Sequence, residues 1–130
     1  MKKIVAIGLM VMLTGCSILN MARYNPNEHM IVNNIRTIAE LSEDACNDHF
    51  KMIPIAEKLY FTSVELYNYN SLVPYNDEAI NMSKSLVEVT KGLNDRYHAE
   101  NVVGAEYCKI KLKTIHDSSK AIEYVIVRKP

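Results

Sequence analysis

The strongest constraint on the fold of this chain is the spacing of apolar and small residues near its end. Seven of them follow one another at intervals of three or four positions: Ala105, Cys108, Leu112, Ile115, Ser119, Ile122 and Ile126. A helix of 3.6 residues per turn places such residues on one face, whereas a half-buried strand would need strict alternation. The spacing therefore predicts a long helix that buries one face against other helices.

Three earlier segments show the same spacing. The first contains Ile31, Ile35, Ile38, Ser42, Ala45 and Cys46; the second contains Phe50, Ile53, Ala56, Leu59, Tyr60, Ser63 and Tyr67; the third contains Ala79, Met82, Leu86, Val89 and Leu93. Pro54 falls inside the second segment, where we expect it to kink one long helix or to cause a short break.

Local signals place the ends of these helices. Asn25 followed by Pro26, and Asn76 followed by two acidic residues, are typical helix starts. Residues 68–71 with Pro74 predict a loop, and the polar stretch 94–101 predicts an interruption. After residue 15 only Gly92 and Gly104 remain as glycines, so the elements should be few and long. The predicted fold class is all-α, an antiparallel helical hairpin or small bundle with arms of up to about 40 residues, or ~60 Å.

Cys46 and Cys108 lie nearly symmetrically about the predicted loop at residues 70–76. An antiparallel arrangement of the helices brings them together, and neither cysteine belongs to a metal-binding motif. We therefore predict a disulfide that closes a loop of about 60 residues and contributes ~4 kcal/mol to stability.

The first seventeen residues have the layout of a secretory signal. Lys2 and Lys3 precede an apolar run from Ile4 to Leu13, too short to span a bilayer. The sequence Leu13-Thr14-Gly15-Cys16 resembles the lipobox of bacterial lipoproteins. The resemblance implies a signal peptide at 1–15, a diacylglyceryl group on Cys16, a lipidated N-terminus and tether at 16–25, and leaves 26–130 as a single helical domain.

The same resemblance predicts a location in the outer membrane. Ser17, rather than aspartate, follows the cysteine, and aspartate there is the usual signal for inner-membrane retention. The protein would be lipid-anchored and face the periplasm, with exposure at the cell surface left open. Without residues 1–15, which carry two of the 15 basic and none of the 15 acidic residues, the net charge is −2. We expect no nucleic-acid partner, and membrane attachment through the lipid alone.

No catalytic or metal-binding motif accompanies the four histidines. Asp48-His49 and His116-Asp117 are neighbours in sequence, and such neighbours on a helix do not face each other. The prediction is a protein that is not an enzyme and has no cofactor and no metal site. The alternative is a haem- or ligand-binding bundle, with Met30 and His116 as the axial pair.

Tyr69, Leu72, Val73 and Tyr75 surround the predicted loop and are our candidate partner-binding residues, although aromatic rings there could equally seal the end of the bundle. We predict a non-catalytic lipoprotein that binds another component of the cell envelope in a structural or accessory role. A second hypothesis is an envelope lipoprotein of phage or mobile-element origin, acting in entry exclusion or, like a spanin, in lysis.

Overall fold

The computed structural model describes residues 21–130, and predictions that concern residues 1–20 lie outside the described residues. Within that range the chain forms four α-helices and no strand, which confirms the predicted all-α class. The helices are α1 (Pro26–Leu41), α2 (His49–Leu72), α3 (Asp77–Tyr97) and α4 (Ala105–Val127). A 3-10 segment, Glu43–Asn47, lies between α1 and α2.

The four helices form an up-down-up-down bundle. Helix α1 packs against α2 and α4, and α3 packs against the same two neighbours. The start of α1 meets the end of α4, where His29 contacts Glu123. The structure therefore selects a bundle over a single long hairpin, and α4, with 23 residues, sets its length at about 35 Å.

The core is built mainly from the predicted stripes, although Phe50, the first residue of the second predicted stripe, is exposed. On α4 six of the seven predicted residues are buried, and Ala105 is half-buried; the six are Cys108, Leu112, Ile115, Ser119, Ile122 and Ile126. Several core positions hold small hydroxyl side chains instead of large apolar ones. Ser63, Ser83 and Ser119 are fully buried, and each donates a 2.7 Å hydrogen bond to the carbonyl four residues earlier in its own helix. Each hydroxyl proton is thus satisfied within its own helix.

The break between the first two helices lies earlier than the position of Pro54 suggested. Helix α1 ends at Leu41, and α2 begins at His49 and continues through Pro54. Asp48 caps α2, because its Oδ1 accepts hydrogen bonds from the backbone N–H of Phe50 (3.1 Å) and Lys51 (3.2 Å). Pro54 is exposed in the second turn of α2, so it removes one backbone hydrogen bond without ending the helix.

The predicted loop of residues 68–71 and Pro74 is confirmed at Pro74 and wrong for residues 68–71, because α2 continues to Leu72. Asn70 is buried there, and its Nδ2 donates to the carbonyl of Ala79 (3.3 Å) and to Ser83 Oγ (3.2 Å). These bonds tie the last turn of α2 to α3, so a polar residue that resembles a loop signal serves as an internal link. The true turn occupies residues 73–76, where Tyr75 has a φ of 58°.

Among residues 21–130, none of the helices combines the length and the apolar character needed to cross a membrane.

Candidate functional site

The disulfide end of the bundle is held together by the Cys46–Cys108 bond. The bond joins the 3-10 segment to the first turn of α4, and the two Cα atoms are 5.6 Å apart. Both cysteines are buried. The predicted disulfide is confirmed, and it connects the chain between α1 and α2 to the start of α4.

His49 links α2 to the loop before α4 at the same end. The backbone N–H of Val103 donates to His49 Nδ1 (3.2 Å), and the imidazole lies 5.3 Å from the ring of Tyr97. The hydroxyl of Tyr97 is buried without a protein hydrogen-bond partner, and burial raises the pKa of Tyr97. His49 therefore contacts the loop before α4, whereas its neighbour Asp48 caps α2.

Two exposed apolar side chains flank this contact. Phe50 follows His49 in sequence and is 81% exposed, and Val102 precedes Val103 and is 79% exposed. Large apolar side chains that remain in solvent at one end of a small bundle are candidates for contact with another molecule.

The opposite end, which we call the tether end, contains a buried charged network. Glu28 on α1 has no exposed surface, and its carboxylate pairs with the ammonium group of Lys129. Asn76 completes the network: its Nδ2 donates to Glu28 Oε2 (2.7 Å), and its Oδ1 accepts from Lys129 Nζ (2.5 Å). Three segments that are far apart in sequence are joined here, and the hydrogen bonds of Asn76 with both charged groups offset part of their desolvation cost.

The chain before α1 packs on the tether end. Ala22 is buried, the backbone N–H of Tyr24 donates to the carbonyl of Pro130 (3.0 Å), and Asn25 caps α1 through its hydrogen bond from Asn27 N–H (2.9 Å). Part of the expected 16–25 tether is therefore seated on the bundle. Since Met21 follows Cys16 by only five residues, the remaining chain reaches no more than about 17 Å.

The residues that we predicted to bind a partner also lie at the tether end. The Tyr69 hydroxyl donates to Asn25 Oδ1 (3.0 Å), so this half-buried ring fastens the start of α1. Val73 is also half-buried, whereas Leu72 is 82% exposed and Tyr75 is 62% exposed. Only Leu72 and Tyr75 of the four present most of their surface to solvent.

A second polar cluster crosses the outer surface between α1 and α4. Glu123 Oε1 is 2.9 Å from His29 Nε2, and Glu123 Oε2 is 2.9 Å from Arg36 Nε. The other nitrogen of His29 is 2.9 Å from the hydroxyl of Tyr24. The cluster extends from the tether end along the surface of the bundle and adds ionic contacts between α1 and α4.

His116 and Asp117 do contact each other, contrary to the expectation from helical spacing. His116 Nδ1 is 3.1 Å from Asp117 Oδ1, and Lys113 Nζ is 2.8 Å from Asp117 Oδ2. Lys113 and then His116 hold the pKa of the Asp117 carboxyl below its ordinary value. The carboxylate turns across the helix surface because Lys113, one turn earlier, attracts it. All three groups are at the surface, and the contact is part of this surface ion pair.

The structure does not bring the two residues of the haem hypothesis together. His116 lines an open groove of about 450 Å³ formed with the C-terminal half of α1, including Ala39 and Glu40. Met30 is in the first turns of α1, is 65% exposed and does not line that groove. Across residues 21–130, no three histidine, cysteine, aspartate or glutamate side chains are grouped so that they could hold a metal ion.

Comparisons with protein-family profiles, with curated proteins and with solved structures found no match for this chain. The sequence signals that located the disulfide end were the two cysteines and the helix stripes. The Glu28–Lys129 pair has no comparable signal, because a glutamate in the first turn of a helix is ordinary and Lys129 lies outside every stripe.

Proposed function

We propose that this protein is a lipid-anchored protein of the bacterial envelope that acts by binding and does not catalyse a reaction. Its lipid would hold the tether end at the outer membrane, and the disulfide end would extend into the periplasm. The observation that carries this proposal is the position of Met21: the described chain starts at the end of the bundle opposite the Cys46–Cys108 bond. Acylation of Cys16 would then direct the disulfide end away from the membrane by about the 35 Å length of the bundle.

The lipidation step is supported by the residues before Cys16. A basic start, a ten-residue apolar run and the order Leu-Thr-Gly-Cys match a lipoprotein signal. Two or three acyl chains hold a protein on a membrane far more durably than a single chain does. Such an anchor would attach the protein to the membrane, which the ten-residue apolar run is too short to do as a spanning helix.

The disulfide end supplies the binding surface in this proposal. Phe50 and Val102 are exposed there, and their sequence neighbours His49 and Val103 are joined by a hydrogen bond close to the Cys46–Cys108 bond. Apolar and aromatic side chains on an ordered backbone suit a protein interface, because less conformational entropy is lost when they bind. We expect the partner to be an envelope protein. The entry-exclusion and lysis hypotheses would use the same anchored bundle and differ in the identity of that partner.

The anchor is tested by comparing the wild-type protein with Cys16→Ser. We expect the wild type to enter the detergent phase and to show a mass equal to residues 16–130 plus acyl chains, whereas Cys16→Ser should be unprocessed or lack the acyl mass. A mature wild-type protein that begins at another residue, without acyl mass, would overturn the proposal.

The binding surface is tested by photo-crosslinking in intact cells. A photoreactive residue at position 50 or 102 should give a discrete crosslink to a single envelope protein, and the crosslink should disappear when Cys16→Ser prevents anchoring. Lys84 and Glu88, which are exposed on α3, provide control positions. Equal crosslinking from all four positions, or from none, would contradict a binding role for the disulfide end.

A further inference from the structure

The tether end carries a set of exposed apolar and aromatic side chains that we call the apolar rim. Its members are between 43% and 82% exposed and come from the start of the described chain, the end of α2, the α2–α3 turn and the end of α4: Met21, Tyr24, Leu72, Tyr75, Tyr124 and Val127. Met21 and Tyr75 line two adjoining grooves, one shared with Tyr24 and the other shared with Tyr124. These four residues therefore form one surface, and the other two members, Leu72 and Val127, are the sequence neighbours of Val73 and Arg128, which line the same grooves.

The route of the chain indicates what lies against this surface. Met21 belongs to the rim, and Cys16 precedes it by only five residues, which span at most about 17 Å. The polar interfacial layer of a bilayer leaflet is itself about 5 to 8 Å thick. If Cys16 carries the lipid, the rim is confined to the immediate neighbourhood of the membrane surface.

We propose that the apolar rim docks on the phospholipid bilayer, so that the bundle stands on the membrane with Leu72 and the tyrosine rings at the boundary between headgroups and acyl chains. This inference rests on the proposed lipid anchor at Cys16 and adds a second, non-covalent contact with the same membrane. In this arrangement Leu72 and Tyr75 contact lipid, and the disulfide end remains accessible to the protein partner.

The chemistry of the rim suits this boundary. Tyrosine has an apolar ring and a hydroxyl that stays hydrated, which is why it is enriched at membrane interfaces. Arg128 lies over the ring of Tyr124 at 4.9 Å from its centre and donates a 2.8 Å hydrogen bond to its hydroxyl, so the charged group and the ring form one amphipathic unit. Long basic side chains of this kind extend towards the headgroups while their stems cover apolar surface.

Charge indicates which lipids the rim would accept. Arg23 and Arg128 are exposed at the tether end, and so are Asp77 and Glu78 at the start of α3. Because the two signs balance, no strong attraction to anionic headgroups is expected. The contact should therefore form on zwitterionic lipid as well as on anionic lipid.

The rim is held in place before any membrane contact. The buried network of Glu28, Asn76 and Lys129 joins α1, the α2–α3 turn and the chain after α4, and the bond from Tyr24 to Pro130 joins the first and last described segments. These segments are thus already ordered in the folded protein, so little further conformational entropy is lost when the rim contacts a membrane. A short tether also gives the rim a high effective concentration at the bilayer, so a weak contact suffices.

The experiment uses the complete lipoprotein in phosphatidylcholine vesicles. Since the chain contains no tryptophan, Tyr75→Trp places a single fluorophore in the rim, and Phe50→Trp places one at the disulfide end with 81% exposure of the native side chain. We expect lipids brominated in the upper acyl chain to quench most of the fluorescence of Tyr75→Trp and to leave that of Phe50→Trp unchanged, with little effect of added anionic lipid.

A matched pair of substitutions tests the apolar contact itself. In the Tyr75→Trp protein, Leu72→Asp should abolish most of the quenching, whereas Val102→Asp should not, although Leu72 and Val102 are almost equally exposed, at 82% and 79%. Intact mass and flotation with the vesicles report on the anchor independently. An acylated, floating Tyr75→Trp protein without quenching would overturn the inference alone, and a protein without acyl mass would overturn both the anchor and the inference.

Discussion

Removing the Cys46–Cys108 bond is expected to lower the melting temperature sharply while the helices remain. The two cysteines are 62 residues apart, and the chain-entropy relation gives a loss of about 4 kcal/mol in the free energy of unfolding for a loop of that length. Residues 21–130 gain about 0.23 kcal/mol/K of entropy on unfolding at an average of about 2.1 cal/mol/K per residue. The expected fall in melting temperature is the ratio of these values, about 17 °C.

Helicity should survive because most of the core does not depend on the disulfide. Leu112, Ile115 and Ile122 on α4 remain buried against the other helices. Thermal melts followed by far-ultraviolet circular dichroism would compare the wild type, the reduced wild type and Cys46→Ala/Cys108→Ala. The reduced protein retains both sulfur atoms and therefore controls for the volume lost in the alanine variant. A fall of less than about 5 °C, or loss of helix at low temperature, would refute the reasoning.

Three further predictions concern side chains at the two ends. Lys129→Met leaves the buried Glu28 carboxylate without its cation and should lower the free energy of unfolding in urea by about 3 to 5 kcal/mol. Glu28→Gln should cost less, because the lysine can then turn to water. Equal losses in the two variants would contradict the interpretation of Glu28 and Lys129 as a buried ion pair. Burial holds the pKa of Tyr97 above its ordinary 10.0. Its contribution to stability is therefore complete below pH 10.0 and is lost as the pH rises from there through the pKa of the folded protein. In thermal melts across that pH range Tyr97→Phe should lack this decline, and below it should change the free energy of unfolding by no more than about 1 kcal/mol. Asp48→Ala removes the cap of α2 and should cost about 1 kcal/mol, whereas the neighbouring exposed Asp44→Ala should cost much less.

The helical class, the stripe from Cys108 to Ile126 and the start of α1 at Asn25 were all predictable from sequence, and the structure confirms them. Each depends on residues within a turn or two of one another, so the local spacing of side chains contains the necessary information. The Cys46–Cys108 bond was predictable for a different reason: once Cys16 is assigned to the predicted lipid anchor, the two remaining cysteines have one pairing available.

The errors arose where contacts distant in sequence override a local signal. Asn70 resembles a loop residue, but α3 supplies the hydrogen-bond partners that keep it in α2. Asn76 does precede the first residue of α3 as predicted, but its side chain makes no capping bond and turns to Glu28, 48 residues away. Local propensities are weak, and a buried polar group must find a partner wherever the packing of the helices provides one.

The positions of the candidate sites likewise depend on how the four helices pack against one another. The spacing of apolar residues allowed both a hairpin and a bundle, and the choice depends on which helix faces meet, with α1 beside α4 and α2 beside α3. That choice places Leu72 and Tyr75 at the end where the chain enters from Cys16, and it joins Lys129 to Glu28 across 101 residues. No local sequence pattern encodes such neighbours. The apolar stripes of all four helices are buried together, and the rim and the charged network form only after the helices have packed.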